Sequence, residues 1–210
     1  MIQIPRLYAI VDTALFSASA EIIAFAEALA AGGCTLLQYR NKSGNARIML
    51  EHARELRRLS RAGVPAPHVP KLIMNDRADL CVAADFDGVH VGQDDLSPES
   101  VRQIIGPDRW LGVSTHNPDQ IIEADRTSAD YLAIGPVFST SSKEKPDPVV
   151  GLEGVRRARQ LTRKPLVAIG GITRANAASV LEAGADSVAV ISDLLRDPRK
   201  SAEDFFRSLR

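Results

Sequence analysis

The sequence has little that points to a membrane, to nucleic acid or to a leader segment. Lys plus Arg and Asp plus Glu number 26 each, so no net charge attracts nucleic acid or an anionic membrane. No apolar run approaches the roughly 18 residues of a membrane span. The N-terminal MIQIPRLYAIVD lacks the order of charged, apolar and small residues typical of a signal peptide. We therefore expect a cytoplasmic protein with neither a membrane nor a nucleic acid as partner.

Cysteine is also scarce. Cys34 and Cys81 are far apart and lie in the apolar segments LAAGGCTLL and ADLCVAA, which favours two buried thiols over a disulfide or a metal site. With 210 residues, 45% of them hydrophobic, the chain has enough apolar residues for one substantial core. We therefore predict that residues 1–210 form a single domain.

Short β-type runs alternate with helical segments along the whole chain. The predicted strands are 7–11, 34–39, 71–74, 88–91, 110–113, 130–135, 165–169 and 187–191. Between them the apolar residues have helical spacing, as at Met49, Ala53 and Leu56. Strand and helix in alternation predict parallel pairing. Eight such units in a chain of this length predict an α/β fold closed into a (β/α)8 TIM barrel, rather than an open sheet.

Two helix starts and one long connection carry further signals. Ser97 and Asn117 each precede a proline, which is typical of an N-cap followed by the first helical residue. The connection PVFSTSSKEKPDPVVG, residues 136–151, is long for a compact domain. We expect it to be a functional loop and a candidate lid.

The end of the second predicted strand carries two cations and a carboxamide. In QYRNK, the residues Gln38, Arg40 and Lys42 alternate and so share one side of an extended segment. Because Arg donates bidentately and Lys is a compact positive charge, the three side chains suit a phosphate group. The alternative is an exposed loop with ordinary charges.

The next two strands end in carboxylates. Asn75 and Asp76 follow the third strand, and Asp94 and Asp95 follow the fourth. Because the carboxyl ends of parallel barrel strands form one rim, Asp76 could hold a hard cation together with Asp94 or Asp95. Such a supply of ligands suits Mg²⁺ carried with a pyrophosphate. The alternative for Asn75 and Asp76 is capping of the helix that follows.

The remaining strand ends predict a second anion site. Backbone groups after the seventh and eighth strands often bind a phosphate in TIM barrels. Gly170 and Gly171 with Ile191 and Ser192 fit that arrangement and would hold a monophosphate. The fifth and sixth strand ends supply Ser114, Thr140, Ser142 and Lys143, of which Lys143 is a candidate for the first, more highly charged site.

Nucleophilic catalysis has little support in the sequence. Neither cysteine follows a strand, and Ser114 and His116 have no evident orienting acid. We predict that His90 is a hydrogen-bonded histidine of the barrel wall, and we leave His116 open between a role in the site and one at a helix entry.

These segments resemble the motifs of the thiamine-phosphate synthase family in order and spacing. The resemblance runs from about Leu7 to Leu195 and rests on QYRNK, MNDR, DGVHVGQDD, GVSTH, YLAIGPVFSTSSK, AIGGI and VAVIS. It implies a transferase that joins 4-amino-2-methyl-5-hydroxymethylpyrimidine diphosphate to 4-methyl-5-hydroxyethylthiazole phosphate. The products would be thiamine phosphate and pyrophosphate.

The resemblance also implies a role for each matching residue. Asp76 and Asp95 match the Mg²⁺ ligands, which leaves Asp94 as a neighbour. Arg40, Lys42 and Lys143 are implied as the catalytic cations that neutralise the leaving pyrophosphate. Contacts to the pyrimidine diphosphate are implied for Gln38, Arg40, Lys42, Asn75, Ser114 and Lys143. Contacts to the thiazole phosphate are implied for Thr140, Ser141, Ser142, Gly171, Ile191 and Ser192.

Three other functions are weighed against this one. A thiazole tautomerase on the same barrel is disfavoured by Asp76, Asp95 and Pro136, because those proteins lack the aspartate pair and carry His in place of this proline. Other phosphate-binding barrels share the IGGI segment but lack the combination of QYRNK with MNDR. A barrel that only binds the phosphorylated compounds is not excluded by the sequence, although the intact set of charged residues favours an active enzyme.

Overall fold

The chain folds as alternating strands and helices. The computed structural model describes residues 2–61, 69–140 and 147–209. Within these ranges the strands are β1 (Leu7–Asp12), β2 (Leu36–Arg40), β3 (Lys71–Asn75), β4 (Gly88–Val91), β5 (Trp110–Thr115), β6 (Tyr131–Ile134), β7 (Leu166–Ile169) and β8 (Ser187–Val190). The helices are α1 (Ser19–Ala31), α2 (Ala46–Arg61), α3 (Ala78–Ala83), α4 (Pro98–Ile105), α5 (Pro118–Asp125), α6 (Gly151–Leu161), α7 (Ala177–Glu182) and α8 (Pro198–Ser208).

The strands form a closed parallel barrel. Each strand pairs with the next, and β1 closes the ring by pairing with β8, where Leu7 is opposite Val188. The predicted TIM barrel is therefore confirmed. The strand bounds agree with the prediction to within two residues, and those of β4 agree at both ends. Strand β1 continues further than predicted, to Asp12, because Asp12 pairs with Arg40 of β2, which is a contact between strands that local sequence does not contain.

Side chains alternate between two apolar cores. Along β1, Leu7, Ala9 and Val11 face the helices, while Tyr8 and Ile10 face the barrel interior. Because both faces of the strands are covered, their sequences are apolar almost throughout. The interior core is formed by Ile4, Tyr8, Ile10, Leu36, Ile73, Tyr131, Ala133, Val167 and Ala189.

The predicted helix starts are confirmed. Ser97 accepts a hydrogen bond from the backbone N–H of Ser100, and Asn117 accepts one from that of Gln120. Each cap is followed by a proline as the first helical residue, where the missing N–H costs nothing. These caps fix where α4 and α5 begin, and therefore how long the loops after β4 and β5 are.

Both cysteines are buried free thiols, as predicted. Burial raises the pKa of Cys34 to about 11 and that of Cys81 to about 12. In the part of the chain that the structure describes, no helix is long and apolar enough to cross a membrane.

The long connection between β6 and α6 begins against the loop after β7. Val137 N–H donates to the Ile169 carbonyl at 2.8 Å, and Phe138 N–H donates to the Gly170 carbonyl at 3.0 Å. These bonds continue the β6–β7 ladder beyond the strands. Residues 141–146 lie outside the described residues, so the lid remains a prediction.

Candidate active site

A cavity of about 530 Å³ opens at the carboxyl ends of the strands. Its lining includes every predicted site residue that the structure describes, namely Gln38, Arg40, Lys42, Asn75, Asp76, Asp95, Ser114, Thr140, Gly171, Ile191 and Ser192. Residues that are far apart in the sequence therefore meet at one site because the parallel strands all end there. Ser141, Ser142 and Lys143 lie outside the described residues.

A second cavity, of about 820 Å³, lies at the opposite end of the barrel. It is lined by residues that precede β1, β7 and β8, including Arg6, Pro165 and Asp186, and by none of the predicted site residues. In TIM barrels the amino-terminal end of the strands contributes to stability, whereas chemistry takes place at the carboxyl ends. The smaller cavity is therefore the candidate active site.

The cations of this cavity are held by carboxylates. Arg40 forms an ion pair with Asp12, which ends β1 and is only 5% exposed. Lys42 forms an ion pair with Asp76 across the gap between the loops after β2 and β3. These two ion pairs thus fix the directions of the Arg40 guanidinium and the Lys42 ammonium group at the rim.

Asp76 does not cap the helix that follows it. The N-cap of α3 is Arg77, which makes no side-chain capping bond, so the capping alternative for Asn75 and Asp76 is wrong. Asp76 instead adopts a left-handed backbone with φ of 62°, and its N–H donates to the His90 carbonyl at 2.8 Å. This conformation is uncommon for a residue other than glycine, although Asp tolerates it better than most. The turn places the carboxylate at the cavity.

Asp76 and Asp95 act on each other. Burial raises the pKa of Asp76, the hydrogen bond from Lys42 lowers it, and the neighbouring Asp95 carboxyl raises it; the net effect is a raised pKa. Asp95 is held in place by the Gly92 backbone N–H, which donates to Oδ2 at 2.7 Å. Two carboxyl groups that disfavour each other's charge would be stabilised together by a cation between them.

The carboxylates of Asp76 and Asp95 fit a hard cation whose other ligands are water and substrate oxygens. Within the described ranges, no group of three or more His, Cys, Asp and Glu side chains converges as a metal site. Two carboxylates are what Mg²⁺ typically takes from a protein when water and substrate phosphate complete its octahedron. Asp76 and Asp95 therefore fit Mg²⁺ bound with a diphosphate.

Asn75 has a donor without a partner. The side chain is 7% exposed, and its Nδ2 donates to no acceptor among the described residues. An unpaired buried amide costs about 1–3 kcal/mol. A phosphate oxygen of a bound substrate would remove this cost, which agrees with the predicted contact to a diphosphate.

The cavity wall opposite Asp76 and Asp95 is formed by glycines and backbone groups of the loops after β7 and β8. Gly171 has a φ of 63°, and a Cβ there would lie 2.5 Å from the Ser139 carbonyl oxygen, so a side chain is excluded. Among the described residues, the N–H groups of Gly171 and Ser192 donate to no acceptor. Arg174 joins the two loops through its ion pair with Asp193, at 2.9 Å. Free N–H groups on two fixed loops suit the predicted phosphate.

The histidine partner of Ser114 is His90, not the adjacent His116. His90 Nε2 lies 2.8 Å from Ser114 Oγ, and its Nδ1 lies 3.1 Å from the Tyr131 hydroxyl. Burial lowers the pKa of His90 to about 4. Both ring nitrogens have a hydroxyl and not a carboxylate as partner, and so weak a base does not activate a serine nucleophile. The prediction of a hydrogen-bonded wall histidine is confirmed.

His116 links the loop after β5 to both ends of the long connection. Its Nδ1–H donates to the Gly135 carbonyl at 2.6 Å, and its Nε2 lies 3.6 Å from an oxygen of Asp147. The side chain also lines the cavity. Of the two interpretations that the sequence left open, this geometry favours a role in the site.

Sequence reasoning missed polar residues in and beside this site, among them Asp12, Tyr8 and Tyr131. Asp12 pairs with Arg40, Tyr8 lines the cavity, and the Tyr131 hydroxyl lies 3.0 Å from the Tyr8 hydroxyl. Asp12 carries the same signal as Asp76, a carboxylate at the end of a strand, and the rule applied there would have found it. The two tyrosines lie within strands and look like ordinary core residues, so no local signal marks them.

Comparison with known proteins agrees with this site. The family model described as thiamine monophosphate synthase matches residues 7–194. A thiamine-phosphate synthase of Koribacter versatilis is 58% identical, over 99% of this chain and 97% of the relative. A thiamine-phosphate synthase of Chloroflexus aurantiacus is 48% identical, over 89% of this chain and 83% of the relative.

A solved structure agrees as well. The thiamine phosphate pyrophosphorylase of Pyrococcus furiosus superposes with a TM-score of 0.84 at 34% identity, covering 97% of this chain and 95% of that one. Since the family model covers almost the whole barrel and the relatives match nearly end to end, the chain belongs to the thiamine monophosphate synthase family.

Proposed function

We propose that this enzyme binds the pyrimidine diphosphate on the wall formed by β2, β3 and the loop after β4. The thiazole phosphate then binds on the wall formed by the loops after β6, β7 and β8. Family membership assigns the overall reaction, the formation of thiamine phosphate with release of pyrophosphate. The observation that supports the residue roles is that both sets of predicted contacts line one cavity of about 530 Å³. Two substrates bound there would meet.

The charge of the first wall supports a role for Mg²⁺. Arg40 and Lys42 are each paired with a carboxylate, and Asp94 and Asp95 add negative charge to the same cavity. The described part of this wall would therefore repel a diphosphate. Mg²⁺ held by Asp76 and Asp95 would offset that repulsion and, when bound, would stabilise negative charge on the departing pyrophosphate.

The chain's own residues bind and orient the reactants. The C–O bond between the pyrimidine methylene and the diphosphate breaks, and the pyrophosphate leaves with the electron pair. The amino group of the pyrimidine supplies electrons to the resulting cation, and the thiazole nitrogen then forms the new C–N bond. No proton is transferred, so no general base is needed, which agrees with the low pKa of His90.

The cations of the site counter the charge that develops on the leaving group. Arg40, Lys42 and Lys143 are proposed for this task, since fixed cations cost no reorganisation at the moment of reaction. The other contacts hold the two rings in line, which makes the attack effectively unimolecular. Gln38, Asn75 and Ser114 are proposed for the pyrimidine diphosphate. Thr140, Ser141, Ser142, Gly171, Ile191 and Ser192 are proposed for the thiazole phosphate.

A two-substrate assay tests this function. The purified protein is incubated with both substrates, with Mg²⁺ or with excess chelator, while thiamine phosphate and pyrophosphate are measured. We expect equal amounts of both products with Mg²⁺ and neither with chelator. Product that forms equally well in chelator would refute the metal role. An isomerised thiazole without coupled product would favour the tautomerase alternative, and no change in either substrate would favour a binding protein.

A further inference from the structure

A chain of hydrogen bonds crosses the barrel floor beneath the cavity. Gln38 Nε2 donates to the Tyr8 hydroxyl at 2.8 Å, and the Tyr8 and Tyr131 hydroxyls lie 3.0 Å apart. The chain continues from Tyr131 to His90 Nδ1 at 3.1 Å and from His90 Nε2 to Ser114 Oγ at 2.8 Å. Its two end members are predicted substrate contacts, whereas its three central members are not, although Tyr8 and His90 also line the cavity.

With the Gln38 amide oriented as in the structure, Nε2 towards Tyr8, hydrogen-bond accounting gives this chain a single direction. The Tyr8 oxygen accepts from Gln38, so the hydroxyl hydrogen of Tyr8 has the Tyr131 oxygen as its acceptor. Tyr131 then donates its own hydrogen to His90 Nδ1. An imidazole that accepts at Nδ1 carries its proton on Nε2, and His90 therefore donates to Ser114.

With Gln38 Nε2 donating to Tyr8, the opposite direction leaves a buried donor without a partner. If His90 donated from Nδ1 to Tyr131, then Tyr131 would donate to Tyr8, and Tyr8 would accept two bonds while its own hydrogen had no acceptor. Tyr8 is 1% exposed and Tyr131 is fully buried, so that hydrogen would have little access to water. A doubly protonated imidazole would likewise leave the Tyr8 hydroxyl hydrogen without an acceptor.

The direction determines what the floor presents to a ligand. Ser114 Oγ accepts from His90, so the serine hydrogen is free to point into the cavity. Gln38 uses one N–H on Tyr8 and keeps its second N–H and its carbonyl oxygen, which accepts no bond from the described residues. A carboxamide with one donor and one acceptor free matches the edge of an aminopyrimidine, where an amino group adjoins a ring nitrogen.

We propose that Tyr8, Tyr131 and His90 are positioning residues that fix the rotation of the Gln38 carboxamide and the direction of the Ser114 hydroxyl. Gln38 thereby reads the amino and ring-nitrogen edge of the pyrimidine, and Ser114 donates to a second acceptor on the same substrate. This inference rests on the proposed binding of the pyrimidine diphosphate. It assigns a share in the selection of an amino-substituted ring to residues outside the predicted substrate contacts.

The tautomer of His90 is the direct test, and it needs no substrate. Long-range ¹H–¹⁵N correlation spectra of the free protein at pH 7 distinguish Nε2–H from Nδ1–H, and the His90 signals are those that vanish in His90→Gln. We expect the neutral Nε2–H form. A neutral Nδ1–H ring or a doubly protonated ring would overturn the proposed direction, whatever the enzyme's activity.

Kinetics test the effect on the substrate. Tyr131→Phe removes the central hydroxyl without changing the shape of the ring. Loss of this chain of hydrogen bonds should lower kcat/KM for the pyrimidine diphosphate about tenfold. KM for the thiazole phosphate should stay unchanged, since that site lies on other loops. Wild-type kinetics in folded Tyr131→Phe, or an equal loss for both substrates, would overturn the proposal.

Two further comparisons separate positioning from packing. His90→Gln can place a donor where Nε2 was, whereas His90→Asn cannot reach Ser114, so we expect greater activity in the glutamine variant. Thr115→Val is the matched control. It removes another buried hydrogen bond of β5, from Thr115 Oγ1 to the Ala133 carbonyl at 2.7 Å, on the outer face. It should lower stability and leave both kinetic constants unchanged; a pyrimidine-specific loss there equal to that of Tyr131→Phe would overturn the assignment.

Discussion

Replacing Asp95 by Asn separates a metal ligand from a structural carboxylate. In the folded protein, Asp95 Oδ2 accepts one hydrogen bond from the Gly92 N–H at 2.7 Å. The asparagine oxygen can keep that bond in neutral form, and the substitution removes the negative charge that raises the pKa of Asp76. Because a small loss and a small gain oppose each other, the free energy of unfolding should change by less than about 1 kcal/mol.

The expected loss of activity is much larger. Asn is a poor substitute for an ionised ligand of a hard cation, and only one carboxylate of the pair would remain. We expect kcat at a fixed, moderate Mg²⁺ concentration to fall on the order of 100-fold, which corresponds to about 2.7 kcal/mol. We also expect the Mg²⁺ concentration that gives half-maximal activity to rise.

The assay is a Mg²⁺ titration of thiamine phosphate formation, paired with urea unfolding of the same samples. Asp94→Asn is the control, since it changes the same charge at the neighbouring exposed position of the same cavity. An exposed substitution without such a role should change the rate by about twofold at most. If Asp95→Asn shows the same Mg²⁺ dependence as Asp94→Asn, Asp95 is not a metal ligand.

Three further outcomes follow from burial. Gly112→Ala should lower the free energy of unfolding by about 1–3 kcal/mol or more in urea denaturation, because its Cβ would lie 2.1 Å from Tyr131 Cζ. His90, with a pKa lowered to about 4, should add stability that is complete above its unfolded pKa of about 6.5 and is lost as the pH falls towards 4. That part of the pH dependence, on the order of 3 kcal/mol, should be missing in His90→Gln. Cys34 and Cys81 should react with a thiol reagent at pH 8 only after unfolding in urea, because both are buried with raised pKa values; rapid labelling of the native protein would contradict their burial.

The barrel was predictable because its signals are local. A strand buried on both faces is apolar along its length, and an amphipathic helix has apolar residues that recur with a period of 3.6 residues. Ser97 and Asn117 cap helices through hydrogen bonds to backbone N–H groups three residues further along the chain. The rule that chemistry gathers at the carboxyl ends of parallel strands then placed Arg40, Asp76 and the other predicted residues at one rim. None of these steps requires knowing which residues touch across the barrel.

Pairings across the barrel were decided only by the tertiary structure. Sequence reasoning considered His116 beside Ser114, whereas His90, from the neighbouring strand, makes the contact at 2.8 Å. It allowed Asp76 to be a helix cap, whereas a left-handed turn directs that carboxylate towards Lys42 and Asp95.

The sequence by itself determined the eightfold alternation and which residues reach the active rim, because strand and helix periods are properties of neighbours in the chain. The tertiary structure decided the partners: Asp12 with Arg40, and Tyr8 with Tyr131. The physical reason is that closing the sheet staggers each strand against the next, and this stagger sets which inward side chains share a level. A hydrogen bond between residues more than a hundred positions apart depends on that stagger and on nothing local.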